Sequence, residues 1–322
     1  MSQASISRRA ILAGAGLLAS RFAQAQPAFA IGTGTTGGVY YPLGTAMATL
    51  INAAEPTMGA AAVATQGSIE NLDRLGTGGF SLVFTQVDTA VNAVDGEEHF
   101  NRKPLPLRAL ANLYSGRMQL VTTAKSGIRR TADLRGKRVS TGTPNSGNEA
   151  MAFRLLKVAA IDRTMDFAAL EFLSPEEGTR RILRGELDAY FFNSGIPSAT
   201  IMELCNAPGV ELRLIDHADL TDGIVARYGP VYYPEAIPAG TYPGQKAANN
   251  QVSVGNILAV SAAMPDAVAA KVLSALWAGR ATLIDTHREG RNFTIAGQRS
   301  KAVGIPWHPA AEAFWQKQGA SL

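Results

Sequence analysis

A glycine-rich turn between an apolar strand and a helix start occurs twice in this chain, and that repetition constrains the fold more than any other feature. The first copy is Ile31-Gly32-Thr33-Gly34-Thr35-Thr36-Gly37-Gly38-Val39-Tyr40-Tyr41-Pro42-Leu43-Gly44. Ala28-Phe29-Ala30-Ile31 reads as a short buried strand before it, and Leu43, Ala46, Met47, Leu50 and Ile51 recur at helical spacing after it. Glycines and threonines let backbone N–H groups approach a ligand, and a helix start favours negative charge. The second copy is Ser140-Thr141-Gly142-Thr143-Pro144-Asn145-Ser146-Gly147-Asn148-Glu149. It predicts Ser146 as an N-cap with Glu149 completing a capping box, and N–H groups remain at that helix start. Two such turns, one per lobe, suit a cleft that closes on a small anion.

Two other readings of the first turn compete with a small-ligand loop. Gly32-x-Gly34-x-x-Gly37 matches the dinucleotide fingerprint, which also asks for an acidic residue at the end of the second strand. That strand, near 59–65, ends in Thr65-Gln66, and Glu55 lies beside Pro56 in the preceding loop. A tight turn with no ligand is the other reading.

The compartment is set by the first residues. Ser7-Arg8-Arg9-Ala10-Ile11-Leu12 pairs two arginines with an apolar run ending at Ala19, and Ala23-Gln24-Ala25 supplies a small-x-small cleavage site. A twin-arginine leader over 1–25 is expected, with the ordinary secretory route as the alternative, placing the mature chain in the periplasm. The run is too short to span a bilayer. Without Arg8, Arg9 and Arg21, the 30 basic residues fall to 27 against 26 acidic ones, a balance of +1. No nucleic-acid partner is implied. Cys205 is the one cysteine, so no intramolecular disulfide forms, and His99, His217, His287 and His308 show no ligand spacing. No metal and no cofactor are expected.

The mature length calls for two lobes. Residues 80–84 read as a buried strand, so Ser68 and Gln86 fall at carboxyl ends of strands, where open α/β sheets bind ligands. The plainer reading makes Ser68 a helix cap and leaves Gln86 solvated. Strands are expected at 107–113 and 119–123, the latter entering a second lobe. Asn193 and Ser194 end a strand over 187–192 whose Tyr190-Phe191-Phe192 reads as core. Residues 228–244 are too rich in Pro and Gly for regular structure. Residues 252–262 form a strand crossing back to the first lobe, 265–284 one helix, and Trp307, Phe314 and Trp315 cap the core. The expected lobes are 26–120 with 258–322, and 121–257.

Enzyme signatures are missing from the sequence. Ser146 does not sit in a G-x-S-x-G elbow, and no H-E-x-x-H or G-x-x-x-x-G-K-[ST] occurs. Asp88, Glu149 and Asp188 have no spacing that asks for acid–base work. No catalytic residue is assigned.

Taken in order, the motifs resemble the TAXI subclass of solute receptors for tripartite ATP-independent periplasmic (TRAP) transporters. The matching pieces are the first glycine turn, Gly67-Ser68-Ile69-Glu70-Asn71-Leu72, Leu134-Arg135-Gly136-Lys137-Arg138-Val139-Ser140 with Ser146-Gly147, and Ile237-Pro238-Ala239-Gly240-Thr241-Tyr242. The resemblance implies an α/β, type II periplasmic-binding-protein fold, with two lobes, a cleft between them and two hinge crossings. It further implies a small anionic solute, a glutamate-like amino acid or a dicarboxylate, handed to a permease of two integral membrane subunits. A receptor for an ABC importer or a sensor kinase is the near alternative, and an exported nucleotide-dependent enzyme the distant one. On this reading Thr35, Thr36, Gly37, Gly38 and Tyr40 offer donors from the first lobe, with Ser68 and Gln86 orienting the solute. Thr143, Ser146, Gly147 and Asn148 clamp a carboxylate from the second, and Asn193 and Ser194 complete the cleft. Two departures stand out: Asn148 where a Thr is expected, and Ser115-Gly116-Arg117 in place of a Pro-Glu-type segment. Arg117 could pair with a solute carboxylate or sit at the surface near the hinge.

Overall fold

The computed structural model describes residues 27–322, so the expected leader lies outside the described residues. Ten strands build one mixed sheet flanked by helices. β1 (Phe29–Gly32), β2 (Ala60–Val63) and β3 (Leu82–Gln86) form one parallel set in the order β2-β1-β3. β5 (Arg138–Ser140), β6 (Ala169–Glu171) and β7 (Ala189–Ser194) form a second in the order β6-β5-β7. Two long strands, β4 (Leu107–Thr123) and β10 (Asn249–Ser261), run antiparallel between the sets. β10 pairs β3 and β4 pairs β7, while β8 (Leu212–Ile215) adds to β4 and β9 (Tyr232–Ile237) to β10. The α/β class expected from the alternating apolar runs is what forms. β1 and β3 are buried along their whole length, the pattern of strands covered on both faces.

The helices that shape the site follow these strands. They are α1 (Tyr40–Ala54), α2 (Ser68–Gly76), α3 (Val87–Asp95), α4 (Gly147–Val158), α5 (Pro175–Leu183), α6 (Ala199–Asn206) and α7 (Thr221–Tyr228). The C-terminal part packs Trp315, fully buried, edge-on against Trp277, Phe293 and Phe314, and its indole donates to the Leu110 carbonyl at 2.8 Å. Trp307 is also buried, as the core-capping reading requires.

Three local readings need correction. The strands expected at 107–113 and 119–123 are one strand, because Ser115, Gly116 and Arg117 pair with Gly255, Val254 and Ser253 of β10. Cross-strand pairing holds them extended whatever their own propensity. Residues 228–244 contain β9, whose Pro234 is tolerated on an edge strand that pairs with β10 alone. The single helix expected over 265–284 is two, α8 (Asp266–Ala278) and α9 (Arg280–Thr286), bent by 61°. The break falls at Gly279, where a Cβ would come within 2.3 Å of the Leu50 side chain.

Two buried polar clusters join the parallel sets. His217 bridges the long strands: its Nε2 lies 2.6 Å from the Met118 carbonyl on β4, and its Nδ1 accepts the Val252 N–H of β10 at 3.2 Å. That arrangement is the neutral imidazole, and burial holds its pKa below the usual histidine value. Arg154 of α4 donates to Asp88 of α3 at 2.9 Å, to Glu98 at 2.6 Å and to the Tyr232 hydroxyl of β9. Asp88 and Arg154 are both buried, so this ion pair fastens one set to the other away from bulk water.

Candidate functional site

Each parallel set ends in a glycine-rich loop held by an asparagine amide, buried for Asn71 and half-buried for Asn148. Around the first loop, Thr33 donates through both N–H and hydroxyl to the Val63 carbonyl. Asn71 of α2 donates to the carbonyls of Thr33 and Phe84 at 2.6 and 2.8 Å, and its oxygen accepts the Thr65 hydroxyl at 2.7 Å. One side chain thus fixes the ends of β1, β2 and β3. The loop then turns through the Gly38 N–H bonded to the Thr35 carbonyl, and α1 starts at Tyr40 with Val39 at the cap position and no side-chain cap. Its first N–H groups keep the partial positive charge of a helix start.

The second loop is closed on itself. Ser146 caps α4 by accepting the Glu149 N–H at 3.0 Å, as its sequence predicts, and it donates to the Thr143 carbonyl at 2.7 Å. The Glu149 carboxylate reaches back one residue further than a standard capping box, to the Asn145 N–H at 3.0 Å. Asn148 donates to the carbonyls of Thr141 and Phe191 at 2.7 and 3.0 Å and accepts the Asn193 N–H. Its amide is spent on joining β5 to β7.

The two loops face each other across a narrow cavity of about 60 Å3. Thr143 donates to the Gln66 carbonyl at 3.0 Å, and a Cβ on Gly147 would come within 2.8 Å of Ser68 Oγ. The floor comes from the long strands. Tyr40 donates to Asn256 of β10, Tyr114 of β4 stands edge-on to Tyr40 at 6.4 Å, and Gly116 admits Asn193 where a Cβ would lie 2.1 Å from its oxygen. Burial pushes both tyrosine pKa values well up, so both phenols stay neutral. Three buried polar atoms of the lining have no protein partner: Gln86 Oε1, Asn193 Oδ1 and Ser194 Oγ. Buried polar atoms are normally paired, so these are candidate solute contacts. Among the described residues no Lys, Arg, His, Asp or Glu lines the cavity.

Eleven of the fourteen residues singled out from sequence line this one cavity: Thr35, Gly38, Tyr40, Ser68, Gln86, Thr143, Ser146, Gly147, Asn148, Asn193 and Ser194. Ser68 is the first residue of α2 and not its cap; its hydroxyl accepts the Gln86 N–H at 3.0 Å, which positions Gln86. Thr36 is exposed, and the Gly37 N–H is taken by Glu176 at 2.5 Å. Arg117 lies outside the lining, bound to Glu235 and, at 3.3 Å, to Glu289. The Ser115-Gly116-Arg117 departure therefore acts at the cavity through Gly116. Tyr114, Glu176 and Asn256 shape the site without belonging to any motif reading, and Asn71 does so from within the 67–72 motif but without having been singled out. Asn71 alone carries a local signal, a polar residue among the buried Ile69, Leu72 and Leu75 of α2. The dinucleotide fingerprint has no acid at the end of β2, and Glu55 instead pairs with Lys271 at 2.8 Å.

A family model described as the NMT1-like family matches residues 31–319. The fold is similar to that of a Bordetella bronchiseptica RB50 protein, with TM-score 0.52 at 15% identity over 90% of this chain and 81% of that one. Weaker likenesses reach the Escherichia coli periplasmic aliphatic sulphonate binding protein SsuA (TM-score 0.45, 14% identity, 90% and 89% of the chains). A putative L-cystine ABC transporter from Listeria monocytogenes gives TM-score 0.47 at 16% identity over 88% and 98%. These identities speak to the fold alone.

Proposed function

The chain belongs to the NMT1-like family, and on that footing we propose that it is a periplasmic receptor for a small anionic solute. The observation that carries this reading is the cavity where the two glycine loops meet, with unpartnered Gln86, Asn193 and Ser194 atoms in its lining. Its volume is far below the roughly 300–1,000 Å3 of sites for drug-sized ligands, which favours a solute of few heavy atoms over a dinucleotide. A carboxylate is the group that the N–H groups opening α1 would take. The free amide oxygens of Gln86 and Asn193 ask for a donor on the solute, an ammonium or a hydroxyl. A glutamate-like amino acid meets both demands, and a plain dicarboxylate only the first.

Binding would favour the closed arrangement through contacts from both loops. Delivery would be to a TRAP-type permease with two integral membrane subunits, the partner that the sequence resemblance implies. Catalysis is not proposed, because the Ser146 and Ser68 hydroxyls are bonded to backbone groups and His217 is held between β4 and β10.

The test is a thermal-shift screen of residues 26–322 against amino acids, dicarboxylates, 2-oxoacids, sugars and NAD. A concentration-dependent rise in Tm is expected with glutamate, larger than with any C4–C5 dicarboxylate. A rise with NAD alone would reverse the reading.

A further inference from the structure

We infer that Glu176 sets the charge the site accepts, restricting it to solutes with at most one net negative charge. This deepens the receptor reading and rests on it. Glu176 lies in the first turn of α5, behind the Ser174 cap and Pro175. Its carboxylate crosses from the β5–β7 set to the first glycine loop, where Oε1 accepts the Gly37 N–H at 2.5 Å. A Cβ on Gly37 would come within 2.4 Å of that oxygen, so the approach depends on glycine. The second oxygen, Oε2, is buried with no partner. Among the described residues no Lys, Arg or His lines the neighbouring cavity.

The chain neighbours of both partners, Gly38 and Pro175, line the cavity. The carboxylate therefore stands one residue behind the cavity lining, and the glycine loop already holds one anion that belongs to the protein. A solute carboxylate must use the remaining N–H groups, and each further negative charge meets Glu176 in a confined, poorly screened space. A purely mechanical role, with Glu176 as a strut between the sets, would show no such charge dependence.

Glu176→Gln separates the two roles, since the glutamine oxygen can still accept the Gly37 N–H while the charge is gone. Isothermal titration of the mature wild-type and E176Q proteins would use two isosteric pairs, L-glutamate with L-glutamine and succinate with succinamate. In any pair that binds, E176Q should shift the affinity ratio toward the more negative member by about tenfold. A ratio that moves less than twofold, or equal weakening of both members, overturns the inference and leaves the receptor reading intact. No binding of any of the four solutes by either protein overturns both.

Discussion

The loop after β1 and the loop after β5 share a sequence pattern and a place in their sheets, yet they are finished in different ways. Each follows the central strand of a parallel set, and each set is tied by one asparagine amide to two strand-end carbonyls. The difference lies in where the asparagine comes from. Asn71 belongs to α2, the helix after the neighbouring strand, so the start of α1 keeps no side-chain cap. Asn148 is the second residue of α4 itself and folds back over its own loop, against Gly142 at φ +106°. Ser146 then accepts the Glu149 N–H and Glu149 the Asn145 N–H. One helix start is uncapped, and the other has its serine hydroxyl and asparagine amide already engaged. A shared glycine-rich pattern therefore does not make two equivalent anion sites.

Separating the sets should have the largest effect. Asp88→Ala leaves the buried Arg154 guanidinium with Glu98, the Tyr232 hydroxyl and the Tyr228 ring, and removing one member of such a pair costs about 3–5 kcal/mol. Urea unfolding measures it, and a loss under about 1 kcal/mol would mean that water reaches the pair freely. Dismantling the second loop comes next. Asn148→Ala strips partners from the Thr141 and Phe191 carbonyls and the Asn193 N–H, a loss of roughly 2–3 kcal/mol, and it should weaken solute binding because Asn193 lines the cavity. Asn71→Ala should destabilise comparably. If it alone abolishes binding, the first loop depends on Asn71 more than the second depends on Asn148.

What could be read from the sequence was local. The apolar runs of β1 and β3, the Ser146 cap and the position of Gln86 at a strand end all depend on residues a few positions apart. What escaped reading is settled by distant partners. The Gly37–Glu176 contact spans 139 residues, and the Tyr40–Asn256 contact spans 216. β9 and the middle of β4 look irregular until β10 pairs with them. Arg117 was the conspicuous charge in its segment, but Glu235 and Glu289 hold it, while the inconspicuous Gly116 makes room for Asn193. A charged side chain advertises itself in a sequence; a missing Cβ does not.

The seam between the sets should also respond to pH. His217 is kept neutral by burial, with its folded pKa below the unfolded value of about 6.5. The unfolded state therefore binds more protons as pH falls from about 7 toward the folded pKa, and stability falls with it. The contribution is present above the unfolded value and is lost below it at up to about 1.4 kcal/mol per pH unit. Protonated Nδ1 could no longer accept the Val252 N–H, so the contact between β4 and β10 is what weakens. Urea titrations at pH 7.5 and pH 5.5 should show a smaller drop for His217→Gln than for wild type. Equal drops would place the titration elsewhere.

The smallest effects test the difference between the loops most directly. The Ser146 hydroxyl donates to the Thr143 carbonyl and accepts the Glu149 N–H, so its proton is not available to a solute carboxylate. Ser146→Ala should cost about 1 kcal/mol of stability, the usual worth of an N-cap, and should change solute affinity by less than about threefold. Thr35 lines the cavity beside the uncapped start of α1. Thr35→Ala should leave stability within about 0.5 kcal/mol, as for other changes away from cores and caps, while affinity falls about tenfold. Unfolding curves and titration calorimetry on the same two proteins give all four numbers. If both variants lose affinity equally with no loss of stability, the second loop presents its hydroxyl to the solute after all. The contrast between an uncapped helix start and an engaged one would then have to be abandoned.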